Sequence, residues 1–420
     1  MLFNSRFLPV LALCFSSVLI AQQPSKTSTS QPPASSGEEK LYDIPNGTGG
    51  EAPWAGVVAD SAGNVYGTTV AGGDPNCLYG FGCGVIYKLS PSREYTVLYT
   101  FTDNGNEGYY LTSPLTLDSA GNLYGTAQLG GGSNAGVVYK LDTSGHLTVL
   151  HSFTGGRDGG NPSLAGVILD PAGNVYGATT FGGSNNAGVA YRIDRAGNET
   201  VLYSFKGGRD GGAPNNLVLD SAGNLYGSTQ TGGNLSCNGG NGCGVIFELS
   251  RARPAFGAEK VLYTFEGGGN GGIANSVTLG QDGNFYGTTF AGGDLTACNG
   301  QGCGTIYKLD ATTRQLTVLH SFNGSSDGAY IAQGLLRDSA GNLYGTAYEG
   351  GNAPACNDFG CGTVYKVDGA GNFSVLFTFP GGDDGIAPFA VPIIDSSGTL
   401  YATTNAGGTT DGGIIFRITP

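Results

Sequence analysis

The nine residues DSAGNLYGT stand at 118–126 and return at 338–346, with DSAGNLYGS at 220–228. A catalytic motif is needed once, whereas a string that recurs at a steady interval describes architecture. Alignment on Asp-x-x-Gly-Asn-x-Tyr-Gly finds seven copies, starting at Asp60, Asp118, Asp170, Asp220, Gly280, Asp338 and Asp395. Successive copies lie 50 to 60 residues apart. The fifth, GQDGNFYGT, puts glycine in the Asp position, and the seventh, DSSGTLYAT, replaces both Asn and Gly. The pattern is degenerate but in register.

Each copy holds four strand signals, here a to d. They are exemplified by AGVILD (165–170), NLYGTA (122–127), GVVYKL (136–141) and LTVLHSF (147–153). All are short, rich in β-branched and aromatic residues, and bounded by Gly, Asp or Asn. The a–b link Asp-x-x-Gly-Asn is a tight turn. Asp accepts nearby backbone N–H groups, and Gly takes positive φ without steric cost. Seven four-stranded units predict an all-β fold, a seven-bladed β-propeller with four antiparallel strands per blade. An open solenoid would need distinct capping repeats instead.

The ends of the chain favour a ring. The last unit finishes on GGIIFRITP, a strand c with no d after it. EKLYDIPNGTGGEAP (39–53), before the first strand a, matches VLYSFKGGRDGGAP (201–214), a strand d and its following loop. The N-terminal strand is therefore expected to close the last blade, which removes two sheet edges. The expected organisation is a signal peptide at 1–21, a Ser/Thr/Pro linker at 22–38 and the propeller at 39–420. The signal rests on Arg6 before an apolar run from Phe7 to Ile20. That run is short for a membrane span, and no second one follows. The chain is expected to be secreted or held at a bacterial cell surface or periplasm, with no membrane insertion after signal cleavage.

Of nine cysteines, Cys14 lies in the signal. The others fall as Cys77/Cys83, Cys237/Cys243, Cys298/Cys303 and Cys356/Cys361, each pair in a b–c loop. The copies lacking cysteine have shorter loops there. Disulfides that restrict long glycine-rich loops are expected, as a secreted chain permits. Zinc is disfavoured, because pairs on different blades cannot converge on one ion and no His accompanies them. The D-x-x-GN-x-YGT, GG…GVIYKL and TVLYSF blocks resemble the GloVer repeats of the choice-of-anchor tandem-repeat proteins over nearly all of 39–420. The resemblance implies a bacterial exported protein, often surface-tethered.

Charge and chemistry narrow the function. Formal charge is −13 with 19 basic residues. No Lys/Arg cluster offers the phosphate contacts that nucleic acid or an anionic membrane needs. The three histidines give no triad: His151 and His320 replace tyrosine in strand d, and His146 lies in a c–d turn. Up-and-down connection puts the d–a and b–c loops on one face, the longer and more variable ones. Candidate ligand-binding residues there are Trp54, Tyr109, Tyr110, Tyr330 and Phe389, as stacking aromatics, and Asp158, Asp210, Asp327 and Asp384 in Asp-Gly loops. The plain alternatives are inter-blade packing and Asx-type turns. No cofactor and no metal site is expected, calcium being the one cation such loops could take. The first reading is a monomeric, non-enzymatic recognition module for an extracellular glycan or protein. The others are a calcium-dependent propeller hydrolase or lyase on polysaccharide or lactone, and a structural cell-surface module. Catalytic residues are not assigned.

Overall fold

The computed structural model describes residues 37–162, 164, 166–251, 259–331, 333–351, 356 and 358–420. The signal peptide, and the linker up to residue 36, lie outside them. Why the nine-residue string recurs is visible atom by atom. Asp60 Oδ1 accepts the N–H groups of Ala62 and Asn64 at 2.9 Å. Its Oδ2 accepts Asn64 Nδ2 at 2.7 Å and the Tyr66 hydroxyl at 2.9 Å. The same four donors surround Asp118. Burial acts to raise the Asp60 carboxyl, but hydrogen bonds from Asn64, Tyr66 and Ala62 outweigh it and hold it below its usual range. In the fifth copy Gly280 has no side chain to offer. Asp282 takes over, accepting Asn284 Nδ2 at 2.9 Å and the Tyr286 hydroxyl at 2.7 Å.

The Tyr-Gly-Thr that follows does three jobs. The tyrosine reaches back to the turn. The glycine lies under the aromatic ring of strand c: Gly67 pairs with Tyr87, and a Cβ on Gly67 would stand 2.3 Å from the Tyr87 hydroxyl. The seventh copy carries Ala402 instead, opposite Phe416. The threonine ties blades together. Thr68 donates to the Leu111 carbonyl at 3.2 Å, Thr288 to Gln333 at 2.8 Å and Thr346 to Ala390 at 3.0 Å, each in the segment that leads into the innermost strand of the next blade.

The result is seven antiparallel blades. They span 58–100, 116–152, 160–204, 212–264, 272–321, 336–378, and 393–418 with 38–43. No α-helix occurs among the described residues. Strand a is innermost in the ring. The last sheet runs Ile393–Ile394, Leu400–Thr403, Ile414–Ile418 and then Glu38–Asp43, so the N-terminal strand supplies its outer edge. Arg417 Nε donates to Glu39 at 2.8 Å across this closure.

The core sits in the seams between blades. The phenylalanine ending each strand d packs edge-on against the strand c aromatic of the next blade. Phe101–Tyr139 and Phe153–Tyr191 have ring centroids 5.1 Å apart, and Phe205–Phe247 5.0 Å. At the closing seam the N-terminal strand presents Ile44 in that place, fully buried against Tyr87. Deleting residues 39–45 should therefore lower the melting temperature by about 10 °C or more. It removes a ladder of hydrogen bonds worth roughly 1 kcal/mol each and a buried isoleucine worth about 2 to 3 kcal/mol. An unchanged melt in differential scanning calorimetry would mean the ring does not depend on this strand.

Candidate functional site

All four cysteine pairs form disulfides, Cys77–Cys83, Cys237–Cys243, Cys298–Cys303 and Cys356–Cys361. They close the long b–c loops of blades 1, 4, 5 and 6. In the three short loops a side chain does the work: Asn134, Asn186 and Asp411 each accept a backbone N–H four residues back at 2.9 Å. The stapled loops turn apolar side chains outward. Tyr79 is 103% exposed, Phe359 65% and Phe81 63%, and Leu235 and Leu295 are about half exposed. Among the described residues only one other large hydrophobic, Val261, is comparably exposed.

Inside this rim lies a chain of aromatic rings. Trp54 packs on Phe389 at 5.4 Å between centroids, and Phe389 meets Tyr348 edge-on at 5.7 Å. The Tyr348 N–H donates to the Tyr330 carbonyl, and the Tyr330 ring stacks on Phe290 at 5.1 Å. The arc crosses blades 5, 6, 7 and 1. It unites three of the residues named from sequence with Phe290 and Tyr348, which were not named. Both of these end strand b, where sister copies carry Val70, Gln128 or Thr180; that departure was the available signal. Phe389 is buried within the arc and the others are half-buried. Tyr109 and Tyr110 stand apart at blade 2, their rings 6.0 Å from each other, and the Tyr109 hydroxyl donates to Asn134 at 2.8 Å.

The candidate aspartates serve their own loops. Asp210 accepts the Lys206 N–H at 2.8 Å and the Tyr203 hydroxyl at 3.0 Å. Asp327 accepts the Asn323 N–H at 3.0 Å and lies 2.9 Å from His320 Nε2. Asp158 accepts the Thr154 N–H at 2.8 Å, with His151 Nε2 3.4 Å away. Asp384 closes a one-turn helix, Gly382–Asp384. Three of them face a glutamate that opens a strand d. Burial, and then the charge of Asp158, pushes Glu199 up to about 7. Burial with Asp210 does the same to Glu259, and burial with Asp384 to Glu38.

The inner segments of all seven blades line an axial cavity of about 340 Å³. Gly56, Pro114, Asn216, Ser276, Gly334 and Val391 are among its walls, and no ionisable side chain lines it. Among the described residues no group of three or more His, Cys, Asp or Glu could hold a metal ion.

The Gloeobacter/Verrucomicrobia repeat matches residues 29–168, 156–353 and 235–420. The chain belongs to this repeat family. As a member of the Gloeobacter/Verrucomicrobia repeat family it has no match among curated protein sequences. Solved structures share the fold. A streptogramin B lyase is 13% identical, with a TM-score of 0.56 over 91% of this chain and 97% of that one. The extracellular domain of BT4673 from B. thetaiotaomicron, assigned as a one-component system, is 12% identical at a TM-score of 0.53. The alignment covers 88% of this chain and 39% of that one. Similarity at this level carries the propeller architecture alone. No helix among the described residues is long and apolar enough to cross a membrane.

The seam glutamates of this repeat protein give it a pH signature. Their carboxyls move from an ordinary 4.5 in the unfolded chain to about 7 in the fold. The fold then binds the proton more tightly. The contribution is fully present below about pH 4.5 and is lost as pH rises through about 7. His151, held below its ordinary value chiefly by burial, acts in the opposite sense, one group against three. The turn aspartates act only below their ordinary 3.8. The melting temperature should therefore be higher near pH 5 than near pH 8. The triple variant Glu38→Gln, Glu199→Gln, Glu259→Gln should flatten that slope. A wild-type melt that rises over this interval would refute the assignment.

Proposed function

We propose that the chain is an exported, monomeric, non-enzymatic recognition module that engages an extracellular protein or glycan on its long-loop face. The observation that carries this reading is the placement of the exposed apolar side chains. Tyr79, Phe81, Leu235, Leu295 and Phe359 are all on or beside disulfide-closed loops. Exposed apolar groups of this size, gathered on one face, mark an interaction surface. A loop already restricted by a disulfide loses less freedom on binding, so more of the contact energy appears as affinity. Four disulfides suit an oxidising compartment, which supports export. The likeness to extracellular domains assigned to a one-component and a hybrid two-component system of B. thetaiotaomicron accords with that location.

The hydrolase or lyase reading draws on the shared fold with a streptogramin B lyase. It has less support. The axial cavity has no ionisable wall residue that could serve as acid or base, and the candidate aspartates are engaged within their loops. Calcium stays with that reading, and the same loops are where it would bind.

The test is a thermal-shift and glycan-array screen of purified protein beside the variant Tyr79→Ser, Phe81→Ser, Leu295→Ser, Phe359→Ser. These side chains are exposed, so the variant should melt within about 2 °C of wild type. A ligand of the loop face should raise the wild-type melt and bind the variant at least about tenfold more weakly. Undiminished binding by the variant would remove the loop face from consideration. Absence of any ligand would favour a structural module.

A further inference from the structure

The loop face is almost without positive charge. The d–a and b–c loops that build it hold fourteen acidic side chains, and Arg157, Lys206 and Arg209 are their only Lys or Arg residues. Those three lie in the d–a loops that enter blades 3 and 4. No b–c loop carries a lysine or arginine, and neither do the d–a loops entering blades 5, 6, 7 and 1.

In that sector acids accompany the exposed apolar tips. Asp74 shares its stapled loop with Tyr79 and Phe81, Asp294 precedes Leu295, and Asp358 precedes Phe359. Asp294 and Asp358 are exposed. Asp74 accepts the Asn76 N–H at 2.9 Å, and Asp294 accepts the N–H and hydroxyl of Thr296 at 2.9 and 2.6 Å. These donors are neutral, so they fix the carboxylates and leave the charge uncompensated.

Tyr79 shows that the tips are not incidental. Its backbone is left-handed, with φ of 58°, in the middle of the one-turn helix Leu78–Gly80. The matching helices of blades 4 and 5 carry Gly239 at 63° and Asn299 at 57° there. Glycine and asparagine enter that region readily, whereas tyrosine does so at a steric cost. The ring is fully exposed, so no packing inside the protein offsets the cost. A contact outside the chain does.

We propose that the stapled loops of blades 1, 5 and 6 form a docking surface for a protein whose contacting face is rich in Lys and Arg. This rests on the loop-face reading above and names the partner's chemistry. Aliphatic stems of the partner's cations cover Tyr79, Phe81, Leu295 and Phe359, and their charged ends meet Asp74, Asp294 and Asp358. Tips on separate loops suit a folded partner, whose surface meets several at once, better than a single sugar chain. A second copy of this chain offers no basic face. Its loop face is the acidic one, and the short turns opposite hold twelve acidic side chains against five Lys or Arg.

The experiment selects binders to the purified protein from a phage-displayed helical scaffold with one randomised face, counter-selecting on the loop-tip variant. Retained binders should carry an excess of Lys and Arg, and their affinity should fall steeply with salt. The variant Asp74→Asn, Asp294→Asn, Asp358→Asn keeps the loop hydrogen-bond acceptors, so it should melt within about 2 °C of wild type. It should bind the same scaffolds about tenfold or more weakly. Tyr79→Asn installs the residue of blade 5; it should melt no lower than wild type and also bind more weakly. A lower melt would mean that Tyr79 serves the fold, against the proposal. A pool that empties under counter-selection removes the loop face and with it both readings. Binders without a basic excess, or equally tight on the asparagine variant, overturn the basic partner and leave the loop face standing. So does a glycan that binds the loop face and is indifferent to the three aspartates.

Discussion

The carboxylate at the head of each a–b turn binds its own hairpin at four points, and the rest of the ring is built on that hairpin. It ties the turn backbone to the tyrosine six residues on, so the turn cannot move without strand b. Strand b then presents glycine to the strand c aromatic and threonine to the next blade. One turn therefore sets both the thickness of a blade and its contact with its neighbour. A ring tolerates no accumulated error in that contact, since seven blades must return to the first. This explains why the string is nearly invariant in a chain whose loops differ freely. It also explains the form of the exception. Where the turn aspartate is missing at Gly280, Asp282 replaces its carboxylate.

Contacts within one blade were legible in the sequence. The hairpins, the strand order, the cysteine-closed loops and the N-terminal closing strand follow from local pattern and from counting strands in the last unit. Contacts across a seam were not. Phe290 and Tyr330, stacked in the structure, are 40 residues apart in sequence, and nothing local says that the end of one strand b meets the following d–a loop. The loop aspartates illustrate the opposite difficulty. Asp210 and Asp327 drew notice as acids among glycines, yet each accepts hydrogen bonds from its own loop. Repetition of a polar residue across copies signals a recurring local duty. Singular residues such as Asn216 and Ser276 were the better guide to the channel.

The two ways of closing a b–c loop divide the ring unequally. A short loop needs one side-chain amide or carboxylate, as at Asn134, Asn186 and Asp411. A long loop exceeds what one hydrogen bond of about 1 kcal/mol can order, and a disulfide takes over. Length is what lets Tyr79 or Phe359 reach solvent, so the staple and the apolar tip belong together physically.

Three independent departures from the repeat meet on blade 5: a stapled loop, the aromatic arc and an unbroken strand a. In blades 4 and 5 it is an unbroken eight-residue strand, Gly212–Leu219 and Gly272–Leu279. In blades 1, 2, 6 and 7 its last part is only two residues long. The backbone at Ala213 and Ile273 has positive φ, as at Ala52 and Tyr110, but one residue fewer separates it from the turn. The shorter path lets strand a pair with strand b on both sides of a register shift, at Pro214/Leu217 in blade 4 and Ala274/Ser276 in blade 5. The Asn216–Val277 clamp locks two such strands together. The two longest inner strands are thus tied to each other where they border the channel.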